Sequence, residues 1–132
     1  INLQFCRHII NYDMPWNPMR VEQRIGRVHR LGQTRDVYIY NFATENTIEE
    51  HIIWLLHEKI NMFEMVIGEL ETILERLQMK DNLEQRLMQI MLEAEDDRQI
   101  RTKLSDIGES IRKTREKILA ESPHRKRWIH GN

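Results

Sequence analysis

The feature that most constrains this chain is a change in the spacing of its apolar residues at Thr47. Ahead of that point they come in short blocks rich in β-branched and aromatic side chains. His8-Ile9-Ile10-Asn11-Tyr12 and Val37-Tyr38-Ile39-Tyr40-Asn41-Phe42 both read as strands. Between them, Asp13-Met14-Pro15-Trp16-Asn17-Pro18 has the punctuation of a loop running into a helix. Asn17 suits the N-cap and Pro18 the first helical position, where its missing N–H costs nothing. That helix is predicted to run to about Arg30 and to stop near Gly32. Strand, helix, strand makes one crossover unit, with parallel strands and a right-handed connection.

Behind Thr47 the spacing becomes helical. Thr47 and Glu50 are placed as a capping box, and Ile48, Ile52, Leu55, Leu56 and Ile60 follow at helical steps. The stripe continues through Met62, Phe63, Val66, Ile67, Leu70, Ile73, Leu74 and Leu77, with Gly68 as an interruption. A break at Lys80-Asp81-Asn82 precedes two heptad-like runs. One is Leu83, Leu87, Ile90 and Ala94; the other is Ile100, Leu104, Ile107, Ile111, Thr114 and Ile118. The runs are out of phase, which predicts two helices meeting at the acidic residues 93–97, or one helix with a stutter. The expected fold is thus an α/β unit over residues 1–45, a helical brace over 46–80, and a helical hairpin or coiled coil over 81–132 with a basic end.

Composition narrows the function classes. With 40% hydrophobic and 31% charged residues among 132, this is a charge-rich globular chain rather than a disordered tail. The opening on Ile1 rather than Met reads as a piece of a longer polypeptide. Cys6 is the one cysteine, so no internal disulfide is available. No Cys/His spacing matches a zinc site, and no metal ligand set is expected. The sequence has no apolar run of membrane-spanning length and no charged-then-apolar leader, so a cytoplasmic setting without membrane contact is expected, or a nuclear one in a eukaryote. The net charge of −1 conceals a gradient, because residues 1–42 hold six arginines against Asp13, Glu22 and Asp36. The end from Arg112 onward is basic again.

On a helical wheel from Arg20, Val21, Ile25 and Val28 share one face, the pattern of a core stripe. Arg20, Gln23, Arg24, Arg27 and Arg30 share another, and Glu22 lies on a third. These arginines therefore have no carboxylate partner within their own helix, and their anion must come from elsewhere. Guanidinium groups present planar paired donors matched to phosphate oxygens. A solvated or ion-paired surface face is the plain alternative.

Gln23-Arg24-Ile25-Gly26-Arg27-Val28-His29-Arg30-Leu31-Gly32-Gln33 closely resembles the sixth motif of superfamily-two helicases, in the form found in Swi/Snf-type ATPases. Ile1-Asn2-Leu3-Gln4 resembles the end of their fifth motif, and Asp13-Met14-Pro15-Trp16-Asn17-Pro18 resembles the segment between the two. The resemblance is carried by residues 1–60 and thins beyond 80. It implies a fragment of the second RecA-like lobe of a motor that binds ATP with Mg²⁺ between two lobes, the first lobe holding the phosphate loop and the Mg²⁺-binding acids. Arg27 and Arg30 would be the catalytic arginine fingers. Gln23 would bind or sense the γ-phosphate, Arg24 would have a phosphate or a structural role, and Gly26 would permit close approach of the lobes. Asn2, Leu3 and Gln4, with Asp13, Trp16 and Asn17, would couple the nucleotide cleft to nucleic acid, though Trp16 also fits a packed loop aromatic. His29 is expected to be structural and Cys6 a small buried hydrophobe.

Glu50, Ile52, Leu55, Phe63 and Val66-Ile67-Gly68-Glu69 resemble bacterial members, implying a double-stranded-DNA translocase that remodels protein–DNA or transcription complexes, with RNA polymerase or another DNA-bound protein as partner. No phosphate loop or Asp-Glu-x-His pair occurs in the 132 residues, so this stretch alone is expected not to hydrolyse ATP. An RNA helicase or restriction-type motor, and a non-catalytic helical interaction module, stand as alternatives. The helical back is either a brace or a regulatory arm gripping DNA through Arg112, Lys113, Arg115, Lys117, Arg125, Lys126 and Arg127.

Overall fold

A computed structural model describes residues 3, 5–29 and 34–121. Two short strands, β1 (His8–Asn11) and β2 (Tyr38–Asn41), pair in parallel with His8 opposite Tyr38 and Asn11 opposite Asn41. Helix α1 (Pro18–Gly26) lies between them in sequence, giving the expected strand–helix–strand unit. Side chains alternate across the pair. Ile9 and Ile39 pack against the core, while His8, Ile10, Tyr38 and Tyr40 face outward, with His8 stacked on both tyrosines.

Helix α1 is shorter than the sequence predicts. Arg27 is its C-cap, and the Arg27, Val28 and His29 N–H groups close on Arg24 and Ile25 carbonyls in a tightened last turn. Gly26, a poor helix former, sits at the point of exit. Arg30 and Gly32, where the helix was expected to stop, lie outside the described residues.

The helical back is also more broken than its stripe implies. Helix α2 (Ile48–Trp54) widens into a π-turn over Leu55–Lys59, with the Ile60 N–H reaching the Leu55 carbonyl. Asn61 at φ 52° and Gly68 at φ 90° then bracket a single 3₁₀ turn, Met62–Glu64, before helix α3 (Glu69–Arg76). Both positions need a left-handed backbone, which Asn tolerates and Gly adopts freely. The Thr47 capping box does not form as expected. Thr47 Oγ1 turns back to the Thr44 carbonyl, and Glu50 accepts from the Asn46 N–H rather than that of Thr47.

Helices α4 (Leu83–Glu93) and α5 (Asp97–Glu121) are separate and joined by residues 94–96, forming the hairpin rather than one stuttering helix. Leu83, Leu87, Leu104, Ile111, Thr114 and Ile118 are buried, as their heptad steps predict. Gly108, and not Ile107, is the buried residue at the middle of the α5 stripe. One buried cluster runs from Met14, Val21 and Ile25 through Ile52, Leu56 and Leu70 to Leu104 and Ile118. The arginine-bearing helix and the helical back therefore share a core. The back is shaped by α5, which meets His51 at Asp97, Trp54 at Arg101, Lys59 at Gly108, Glu69 at Arg115 and Arg76 at Glu121. Both chains of contacts ascend together, so α2 with its π-turn, and then α3, lie parallel to α5. Among the described residues no helix is long and apolar enough to cross a membrane.

Candidate functional site

Helix α1 is fixed at its start and along two sides. Asn17 has the extended backbone of an N-cap, and its side chain accepts from the Met19 N–H at 2.9 Å. Val21, Ile25 and Val28 are buried, so the core stripe read from the wheel is present. Glu22 is also buried, and its carboxylate accepts from the Gly68 N–H at 3.3 Å. Burial raises the Glu22 pKa above the ordinary carboxylate value; the Gly68 and Leu70 N–H groups oppose that rise, while Glu71 and Glu69 add to it.

What α1 leaves exposed is Arg20, Gln23 and Arg27. The Gln23 and Arg27 side chains have no hydrogen-bond or ion-pair partner among the described residues. Arg24 does have one, and it comes from outside the helix. Its guanidinium donates to the Asp13 carbonyl at 2.8 Å and to Asn11 Oδ1 at 3.4 Å, and lies 3.4 Å from the Asp13 carboxylate. Asn11 in turn donates to Asn41 Oδ1 at 2.7 Å across the strand ends. These bonds tie Arg24 to the loop and to the end of β1. The ion pair is largely solvated on the Asp13 side, so the bond to the loop main chain is what fixes the loop.

The residues expected to couple the cleft to nucleic acid fall in different places. The Leu3 N–H donates to the Arg27 carbonyl at 2.8 Å, joining the two ends of the expected site, and the Cys6 N–H returns to the Leu3 carbonyl. Trp16 is half-buried and its indole N–H reaches Glu49 on α2 at 3.3 Å, tying the loop to the helical back. Asp13 is taken by Arg24, and the Asn17 side chain by its cap. Cys6 is half-buried and free rather than buried as expected. Asn2, Gln4 and Arg30 lie outside the described residues.

Gln23, Gly26 and Arg27 line one shallow cleft together with Asn17, Lys80 and Asp81. Lys80 on its rim is exposed and held by Glu71 at 2.7 Å and Glu75 at 3.2 Å; these carboxylates raise its pKa. A methyl group at Gly26 would stand 3.7 Å from Ile67, an ordinary contact, so this chain does not itself require glycine there. Exposed amide and guanidinium donors suit an anion with several oxygens, and in that respect the α1 face fits a nucleotide phosphate. Among the described residues no group of three or more His, Cys, Asp or Glu side chains could hold a metal.

Three polar groups were not singled out from the sequence: Asn11 at the strand ends, Glu22 as an anchor, and the pair of Glu69 with Arg115. Glu69 is 2% exposed at its side chain and accepts from Arg115 Nε at 2.6 Å. This corrects the placing of Arg115 among DNA-facing cations. Arg112 pairs with Glu109 at 3.6 Å, Lys113 and Lys117 are exposed, and Arg125, Lys126 and Arg127 lie outside the described residues.

Residues 1–32 match a family profile described as the helicase conserved C-terminal domain. An uncharacterized ATP-dependent helicase of Bacillus subtilis, YqhH, is 56% identical over 107 residues, which is 81% of this chain and 19% of that protein. Helicase SWR1 of Mycosarcoma maydis is 42% identical over 89 residues, covering 64% of this chain and 5% of that protein. Helicase SWR1 of Saccharomyces cerevisiae is 45% identical over 69 residues, 52% of this chain and 5% of that protein. The chain thus spans a fifth or less of the curated relatives it matches. The Bacillus match is too long to be confined to residues 1–80, so likeness reaches into the helical back, further than the motor motifs alone carry it.

Proposed function

Since this chain belongs to the superfamily-two, Swi/Snf-type helicase-like proteins, as a C-terminal part of one, we propose that it supplies the second-lobe half of an ATP-driven double-stranded-DNA translocase. The observation that carries this reading is the exposed pair Gln23 and Arg27, without partners among the described residues, on a helix anchored by Asn17, Val21, Glu22 and Ile25. A guanidinium held in place but free of protein anions is ready to take one from outside.

In this reading Arg27 and Arg30 neutralise charge on the γ-phosphoryl oxygens as the bond to the leaving phosphate breaks. Gln23 orients the same group, and Gly26 admits the facing lobe. Mg²⁺ would be held by acids of the first lobe, outside this chain, and would supply charge neutralisation at the nucleotide phosphates. Leu3, bonded to the Arg27 carbonyl, carries displacement between the cleft and the DNA-side loop; Asn2 and Gln4 flank it. Asp13, through Arg24, and Trp16, through Glu49, carry it to the strand ends and the helical back. Asn17 holds the start of α1. The resemblance of residues 50–69 to bacterial members supports a remodeller of protein–DNA or transcription complexes, with RNA polymerase or another DNA-bound protein as partner and the cytoplasm as setting.

The outward face of the β1–β2 pair supports the same reading. Parallel strands are ordinarily covered on both faces, and here Ile10, Tyr12, Tyr38, Tyr40 and Phe42 are exposed. We assign that face to helices from the rest of the lobe, as crossover helices cover both faces of a parallel sheet.

The test uses the full-length polypeptide with its first lobe. Arg27→Ala is expected to lower DNA-stimulated ATP hydrolysis on the order of 10³-fold while the protein melts as the parent does. Near-normal turnover by a folded variant would overturn the finger assignment.

A further inference from the structure

A polar relay crosses the molecule from α5 to α1, through the turn at residues 66–68. At one end Arg115 Nε donates to Glu69 Oε1 at 2.6 Å. The other oxygen of the same carboxylate accepts from the Val66 N–H at 2.9 Å, and the Glu69 N–H closes the turn on the Val66 carbonyl at 2.9 Å. Two residues on, the Gly68 N–H donates to Glu22 of α1 at 3.3 Å. Gly68 holds φ 90°, a left-handed conformation, and the direction of its N–H follows the backbone of this turn. Glu22 lies next to Gln23 in sequence, one helical turn from the exposed Arg27.

We propose that Arg115 is a positioning residue for the arginine face of α1, and that α5 is the element through which that face is set. This rests on the hydrolysis reading above for its consequence, though not for its geometry. Glu69 is almost wholly buried and Arg115 is the cation set against it; a buried carboxylate that loses its partner carries an uncompensated desolvation cost and is driven to move. That movement withdraws the acceptor from the Val66 N–H and loosens the turn that presents Gly68 to Glu22. Helix α1 then keeps its apolar anchor but loses the polar one opposite its exposed face. Small displacements of that kind weaken transition-state contacts far more than ground-state binding. Whatever pulls on α5 thereby modulates Arg27 without touching the nucleotide.

The experiment uses the full-length protein and the double variant Glu69→Leu, Arg115→Met, which removes the acceptor for the Val66 N–H and leaves no unpaired buried charge, so that the fold is kept. Arg115→Ala and Arg115→Lys run beside it. The double variant is expected to keep its KM for ATP within about twofold and to lose kcat about tenfold or more, with partial recovery in Arg115→Lys. Amide hydrogen exchange should quicken at residues 66–68 and 21–27 and stay unchanged in Ile48–Trp54. Unchanged exchange at 21–27, or an equal rise in every helix, overturns the relay. Arg27→Ala sets the scale for turnover. If it is inactive while the double variant turns over normally, the positioning role falls. If Arg27→Ala itself turns over normally, the hydrolysis reading falls, and exchange alone decides the relay.

Discussion

Asn17 shows how much a single side chain can announce. Its pairing with Pro18 gave the start of α1 from sequence, and the bond to the Met19 N–H is the one such residues make at that position. Glu22 shows the opposite case. The wheel separates it from the arginines, but no local rule places Gly68, 46 positions away, against its carboxylate. The same is true of Glu69 with Arg115, also 46 apart, and of Arg24, whose partner stands in a loop where helix-spacing rules do not look. A consequence of burying Glu22 can be measured. Its folded pKa is raised, so the folded state holds the proton more tightly than the unfolded chain does. The resulting penalty is absent below the ordinary value of 4.5, grows as pH rises through the raised value, and is complete above it. Glu22→Gln keeps an acceptor for Gly68 and removes the charge. It should therefore raise the melting temperature at pH 7 and leave it unchanged near pH 4; a lower melting temperature at pH 7 would show that the charged form is favoured by its surroundings.

Among the elements, β1 and β2 were legible from β-rich runs, the start of α1 from its cap and core stripe, and α4 and α5 from their heptad steps, with the hairpin as one of two ways to join them. The segment between α2 and α3 was not. Its apolar residues keep helical spacing, yet Asn61 and Gly68 turn the chain into left-handed conformations that periodicity does not register. Gly108 was passed over for a related reason, since a stripe is read from large side chains and this position is defined by having none. A Cβ there would lie 2.9 Å from Lys59 Cβ and 3.4 Å from Leu55 Cδ1. Helix α5 is thus pressed against the π-turn at Leu55–Lys59, closer than any alanine allows. Gly108→Ala would ordinarily stabilise a helix interior, but here the clash should prevail, at about 1–3 kcal/mol of destabilisation. Chemical denaturation of Gly108→Ala against the parent measures it, and a gain in stability would mean that the two helices can separate without cost.

For the whole molecule, the division into an α/β front and a helical back was readable, but their dependence on each other was not. Periodicity says which residues face inward, not that Val21 and Ile25 meet the same core as Leu70 and Leu104. The buried residues of α1 belong to the same cluster as those of the helical back, so cutting the chain after Phe42 removes most of that cluster. The truncated piece should show no cooperative thermal transition by circular dichroism. A sharp transition would instead make the back an appendage.

The 25 residues of α5 rise about 37 Å at 1.5 Å each, and two of its contacts are fixed in rotation as well as height. Gly108 must face Lys59, and Arg115, seven positions on, must face Glu69. Adding one residue between them turns the later contact by about 100° around the helix axis, enough to aim Arg115 at solvent. The stretch from 108 to 115 therefore acts as a gear tooth count: its exposed residues, Glu109, Ser110, Arg112 and Lys113, can vary, but its number cannot.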